Sequence, residues 1–322
     1  MFDALFTTTT EYKKLSHALS GKGACALFGL PASGRAQVYA ALCRQLDKPL
    51  CIVTPGEAEA TRFAADLNAL GIPAAVFPAR DYVLRPIEGT AREYEYRRLA
   101  VLGELVGGRL RAVAVPAEAL TQFTTPKEDF CANTRTLHAG DTLLRDDLLA
   151  ALFGAGYTRR AQVDGPGQFS VRGDIVDIFA PDQKMPVRME FWGDEIDTLH
   201  TFDLTTQRRE DAIDKFYLSP AREVLFGKPA DAAEQLRAFL AKQRGKKKTA
   251  MADCMAADLD LLDGGAVPVN MDKYLVVRYP HPATVLDYFY DPILVAEEPA
   301  SIREADRATA YRRGEELKSL IP

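Results

Sequence analysis

Ala24-Cys-Ala-Leu-Phe28 runs into Gly29-Leu-Pro-Ala-Ser-Gly34-Arg-Ala36, and a helical pattern opens behind it from Gln37 to Leu46. Apolar strand, glycine-bracketed turn, then helix is the order of a phosphate-binding loop, and the two glycines have its G-x-x-x-x-G spacing. The next two positions break the pattern. Such a loop needs a lysine to reach the β and γ phosphates and a hydroxyl to ligate Mg²⁺; this chain has Arg35 and Ala36 there. Ala36 cannot hold a metal, and the planar fork of Arg35 is a poor substitute for a compact ammonium. Pro31 also removes one backbone donor. The other half of such a site is an acidic pair at the end of a strand, and Ile293-Leu-Val-Ala-Glu297-Glu298 has that form, with a glutamate where an aspartate is expected. Gly29, Gly34, Arg35, Glu297 and Glu298 therefore read as a vestigial nucleotide site. Hydrolysis, weak phosphate binding and a purely structural turn are the three readings, and the structural turn is the expected one.

The same alternation continues outward. Leu50–Thr54 precedes a helical pattern over 56–70, Ala74–Phe77 precedes one over 90–106, and Ala112–Val115 leads into Pro116-Ala-Glu-Ala-Leu120. Short apolar strands separated by helices predict a parallel sheet covered on both faces. After Thr125-Pro126 the grammar changes. A helix near Arg145–Phe153 is followed by strand signals without intervening helices: Phe169–Val171 and Ile175–Phe179 flank Arg172-Gly173-Asp174. Val187, Met189 and Phe191 alternate with Arg188, Glu190 and Trp192 before the turn at Gly193-Asp-Glu195, and Ile196–Phe202 runs back. This is an antiparallel sheet with one apolar face. Helical patterns resume at Pro229, Tyr274–Val277 and Ile293–Val295 read as further strands, and a charged helix from about Ile302 to Leu320 ends the chain.

The composition, 47% hydrophobic and 26% charged over 322 residues, is that of a folded chain with room for more than one core. No apolar run approaches the roughly 20 residues of a membrane span, and no signal peptide opens the chain, so a cytoplasmic location is expected. Five scattered cysteines and four isolated histidines form no metal, disulfide or nucleophile pattern. Neither a catalytic nor a metal site is expected. The formal charge of −5 opposes a DNA-coating role. Nonspecific DNA contact is then left to Arg85, Arg92, Arg97, Arg98 and the Lys246–Lys248 run.

The strings Phe169-Ser-Val-Arg-Gly-Asp-Ile-Val-Asp-Ile-Phe179-Ala-Pro181, Val187-Arg-Met-Glu-Phe-Trp-Gly-Asp-Glu-Ile196 and Phe202-Asp-Leu-Thr-Thr-Gln-Arg208 closely resemble one module. It is shared by the UvrB subunit of bacterial nucleotide excision repair and the N-terminal part of transcription-repair coupling factors, the Mfd proteins. The likeness extends over the degenerate loop, Arg80–Thr90, Val113–Leu120 and Gly154-Ala-Gly-Tyr157, and is weakest from about 222 to 285. UvrB keeps an intact Gly-Lys-Thr loop and a long aromatic hairpin after its third strand. This chain has neither, which favours the coupling factors.

The resemblance implies a degenerate P-loop NTPase-like α/β domain (1–126) with an inserted α+β, antiparallel-sheet domain (127–220). A return to the α/β domain with a small helical subdomain (221–308) and a connector helix (309–322) would follow. It implies an adaptor that binds the UvrA ATPase. Arg159 and Arg172 match family contacts, with Arg160, Asp174, Phe179, Glu190 and Phe191 as weaker matches. Phe179, Phe191 and Trp192 are read first as core or sheet-face residues. No cofactor is implied for these residues. ATP and Mg belong to the motor of the full-length family, as do the partners RNA polymerase and double-stranded DNA; weak or no DNA binding and no membrane contact are implied here. The alternative is a residual nucleotide-dependent DNA-binding module of a UvrB- or helicase-like ATPase.

Overall fold

The computed structural model describes residues 6–21, 23–80, 92–268 and 270–320. Arg85 and the start of the helix expected near Thr90 lie outside these, as do the side chains of Lys246–Lys248. The chain forms two compact units, residues 1–80, 104–122 and 285–322 in one, 81–103 and 123–284 in the other.

The first unit is an α/β layer structure. Helices α1 (Thr10–Ser20), α2 (Ala32–Leu46), α3 (Glu57–Ala69) and the short α5 (Ala117–Leu120) accompany strands β1 (Leu50–Thr54), β2 (Ala74–Val76), β3 (Ala112–Pro116) and β12 (Ile293–Ala296). All four strands are parallel, in the order β12-β1-β3-β2. β1 and β3 are buried at every position, as central strands covered on both faces must be. Ala36, Leu42, Phe63 and Leu67 of the helices close on Leu50, Ile52 and Ile293. β12 is an edge strand whose Leu294 is 59% exposed. Helix α11 (Pro299–Leu320) follows it and is tied down by Arg312 and Arg313 on Glu118.

Two sequence expectations fail in this unit and the next. Ala24–Phe28 pairs with no strand among the described residues, and residues 23–30 are all exposed, Phe28 at 87%. Its apolarity has the look of a buried strand, but none of the described strands lies against it. Tyr274–Val277 is helical, a 3₁₀ turn over Met271–Tyr274 running into α10 (Leu275–Arg278). A short apolar run reads alike in both states, and tertiary packing of Met271, Tyr274 and Leu275 decides it.

The second unit holds α4 (Glu93–Val106) up to Gly103, then α6 (Lys127–Ala132), β4 (Arg135–His138) and α7 (Arg145–Gly154). The strands β5 (Thr158–Arg159), β6 (Gln168–Arg172), β7 (Ile175–Phe179), β8 (Val187–Trp192), β9 (Glu195–Phe202) and β10 (Arg209–Ala212) follow. These six form one sheet in the order β10-β9-β8-β7-β6-β5, antiparallel except where β5 meets β6. β11 (Lys215–Leu218) pairs with β4. One face of the large sheet, with Phe169, Val176, Ile178, Met189, Phe191 and Leu199, buries against Leu148 and Leu152 of α7. Each such side chain contributes about 1.5–3 kcal/mol by leaving water. Helices α8 (Pro229–Lys242) and α9 (Lys246–Asp263) pack with the 3₁₀ turn and α10 around Leu236 and Leu262.

Candidate protein-interaction site

The loop that opened the sequence is shorter than its spacing suggests. Pro31 is the N-cap of α2 and the helix starts at Ala32, so Gly34 and Arg35 lie in its first turn rather than in an open cradle. Arg35 N–H donates to the Pro31 carbonyl, 3.0 Å away. Gly29 takes φ +79° and stands free, which makes it a turn residue. The Arg35 guanidinium reaches Glu297 at 2.9 Å and Glu298 at 3.0 Å, at the end of β12. The Tyr39 hydroxyl donates to Glu297, which is 4% exposed. Burial and then this carboxylate hold the Tyr39 phenol well above its ordinary pKa, so it stays a donor. The structure thus brings Arg35, Glu297 and Glu298 together. One cation sits among two carboxylates, which leaves the cluster net negative.

The six-stranded sheet gathers the other set. Alternation along the strands puts Ser170 and Arg172, Ile175 and Asp177, and Arg188, Glu190 and Trp192 on the face away from α7. Asp177, 1% exposed, lies at its centre. It accepts from Arg188 Nε at 2.7 Å and Nη2 at 3.0 Å, and from Arg172 Nη2 at 2.8 Å. Its partner Arg188 has its pKa raised, chiefly by that hydrogen bond. Arg172 is tethered by one nitrogen while its side chain stays 49% exposed. Glu190 is bound to Arg209 and to Thr198. At the turn between β6 and β7, Arg145 donates to the Gly173 carbonyl at 2.8 Å and to Asp174 at 3.0 Å.

The remaining candidates are spread out. Phe191 is 5% exposed and belongs to the core of the apolar face; Phe179 is 7% exposed and packs with Val163 and Phe202. Both support the sheet from within. Arg159 and Arg160 are exposed, and Arg159 lines a cavity of about 820 Å³ with Phe153, Tyr157, Arg222 and Phe226. Arg98 is fully buried on Glu223 at 2.7 Å and is not available to DNA. The sequence does not mark Asp177 as a support; of the core and sheet-face readings open for Trp192, the structure has the sheet face, 82% exposed. The signal was the alternation itself, which places Trp192 with Arg188 and Glu190. No helix among the described residues is long and apolar enough to cross a membrane, and no metal-ligating cluster occurs among them.

The six-stranded sheet shares its chain with an α/β unit, and the UvrB interaction domain family matches residues 136–224, which span that sheet. The chain is 27% identical over 305 residues to the transcription-repair-coupling factor of Bacillus subtilis, covering 92% of this chain and 26% of that protein. It is 34% identical over 294 residues to that of Mycobacterium bovis, covering 86% and 23%, and 35% identical over 208 residues to that of Myxococcus xanthus, covering 61% and 17%. The chain is a homologue of the transcription-repair-coupling factors and corresponds to their N-terminal region. It spans about a quarter of the length of these relatives.

Proposed function

We propose that the chain is a non-catalytic adaptor that recruits UvrA to a lesion-stalled RNA polymerase in nucleotide excision repair, in the cytoplasm. The observation that carries this reading is the coincidence of the UvrB interaction domain match, residues 136–224, with the sheet bearing the half-exposed, tethered Arg172. Arginine in fork geometry makes bidentate pairs with carboxylates and is favoured in interface cores. On this reading the module uses no cofactor. ATP hydrolysis, DNA translocation and polymerase contact belong to the other three quarters of the longer proteins, and the Arg35–Glu297–Glu298 cluster serves as a structural tie. Titration calorimetry with purified UvrA tests it: saturable binding without nucleotide is expected, and no binding at micromolar concentrations of both proteins would refute the docking role.

A further inference from the structure

The β6–β7 and β8–β9 turns lie at one end of the polar face, where residues 140–143 hydrogen-bond along the start of β9. Trp192, the only tryptophan of the chain, stands there 82% exposed. Arg172 is two strands and two residues away on the same face, about 12 Å by sheet spacing. Ile175, half-buried, lies between them on β7. An indole this exposed on a regular strand gains nothing for the fold. On burial it removes a large apolar area from water at low entropic cost, the property that makes Trp a frequent interface anchor. Arg172 is complementary. Asp177 has already fixed its geometry, so less side-chain freedom is lost on binding. Two guanidinium charges share that one buried carboxylate, which leaves the group net positive.

We propose that Trp192 is the central anchor of the partner-binding surface, with Arg172 beside it as a carboxylate-binding fork and Asp177 as the residue that positions the fork. The proposal rests on the UvrA reading. The partner it fits is a protein surface that offers an apolar recess beside an Asp or Glu. A nucleic acid is a poorer fit, because Asp174, Asp194 and Glu195 are exposed at the same end and would repel a polyanion.

The single tryptophan makes the test direct. The chain labelled with 5-fluorotryptophan gives one fluorine resonance, and adding purified UvrA shifts or broadens it in step with complex formation. Trp192→Ala weakens UvrA binding about 10- to 100-fold and Arg172→Lys about 10-fold, the range of interface anchors, while the thermal midpoint of Trp192→Ala stays unchanged because the indole is exposed. Asp177→Asn weakens binding in the wild-type background and has no further effect in Arg172→Ala, as a residue acting through Arg172 must. An unmoved resonance in a complex confirmed by sedimentation, or wild-type affinity in Trp192→Ala, overturns the proposal while leaving the UvrA reading intact. Absence of any wild-type complex removes that reading and the proposal with it. A resonance that moves with chain concentration alone, or with duplex DNA, assigns the face to a second copy or to nucleic acid and equally overturns it.

Discussion

Arg98 and Glu223 show what single residues hold. Both are fully buried, with Nε 2.7 Å from Oε1, and Thr124 adds a hydrogen bond to the same oxygen at 3.1 Å. Removing one partner of a buried pair strands the other's charge, so Arg98→Ala is expected to cost about 3–5 kcal/mol in urea unfolding. The joint replacement Arg98→Met with Glu223→Leu should recover most of that loss; a single variant as stable as the wild type would contradict the account. The cysteines give a second expectation. Burial pushes the Cys51 thiol up to about 12, and Cys43 is also buried, whereas Cys25, Cys131 and Cys254 are exposed. An aromatic disulfide reagent at pH 8 should titrate three thiols quickly and two only on unfolding. Five fast thiols would show that the core opens readily. At this scale the sequence was partly legible. The Arg172-Gly-Asp174 string announced a polar hairpin, but nothing in it announced that Asp177, three residues on, would hold two arginines at once. That depends on Arg188 arriving from β8.

Elements carry the next lesson. The β1–α3 and β3 patterns and the β8–β9 hairpin were readable because periods of 2 and 3.6 survive wherever one face is buried. The glycine spacing at 29–34 was misleading, since Ala32, Ser33 and Gly34 join the helix and leave only a short turn. Restoring the chemistry with Arg35→Lys and Ala36→Ser should therefore not restore a site: millimolar ATP with Mg²⁺ is expected to leave the melting temperature unchanged. A rise, which a ligand specific to the folded state must cause, would show that the cradle can form. Gly167 shows the opposite kind of constraint. Its φ is +73°, and a Cβ there would lie 2.8 Å from the Tyr96 hydroxyl oxygen and 2.9 Å from its ring. Gly167→Ala combines an unfavourable backbone with overpacking and is expected to destabilise by about 2–3 kcal/mol. Substitution at Gly140, with φ +89° and open space around it, should show the backbone penalty alone, about 1 kcal/mol. Equal losses at the two positions would remove the packing part of the argument.

Across the whole molecule, two units with separate cores share a chain that passes between them several times. Two cores of this size predict unfolding in more than one step, so the calorimetric enthalpy should exceed the van't Hoff value. A ratio of one would mean that the two unfold together. The sequence disclosed the parallel and antiparallel sheets as classes, because their strand patterns differ. It did not disclose that Ala24–Phe28 would stand unpaired, since pairing is a property of neighbours rather than of the segment. That edge has a practical consequence. Among the described residues β12 is an edge strand with Leu294 exposed, and Leu27, Phe28 and Leu30 are exposed nearby in sequence to α2. Such surfaces recruit strands from other molecules. Concentrated solutions of this chain should cloud on storage through edge-to-edge growth, and a charged gatekeeper, Leu294→Lys, should lengthen their shelf life.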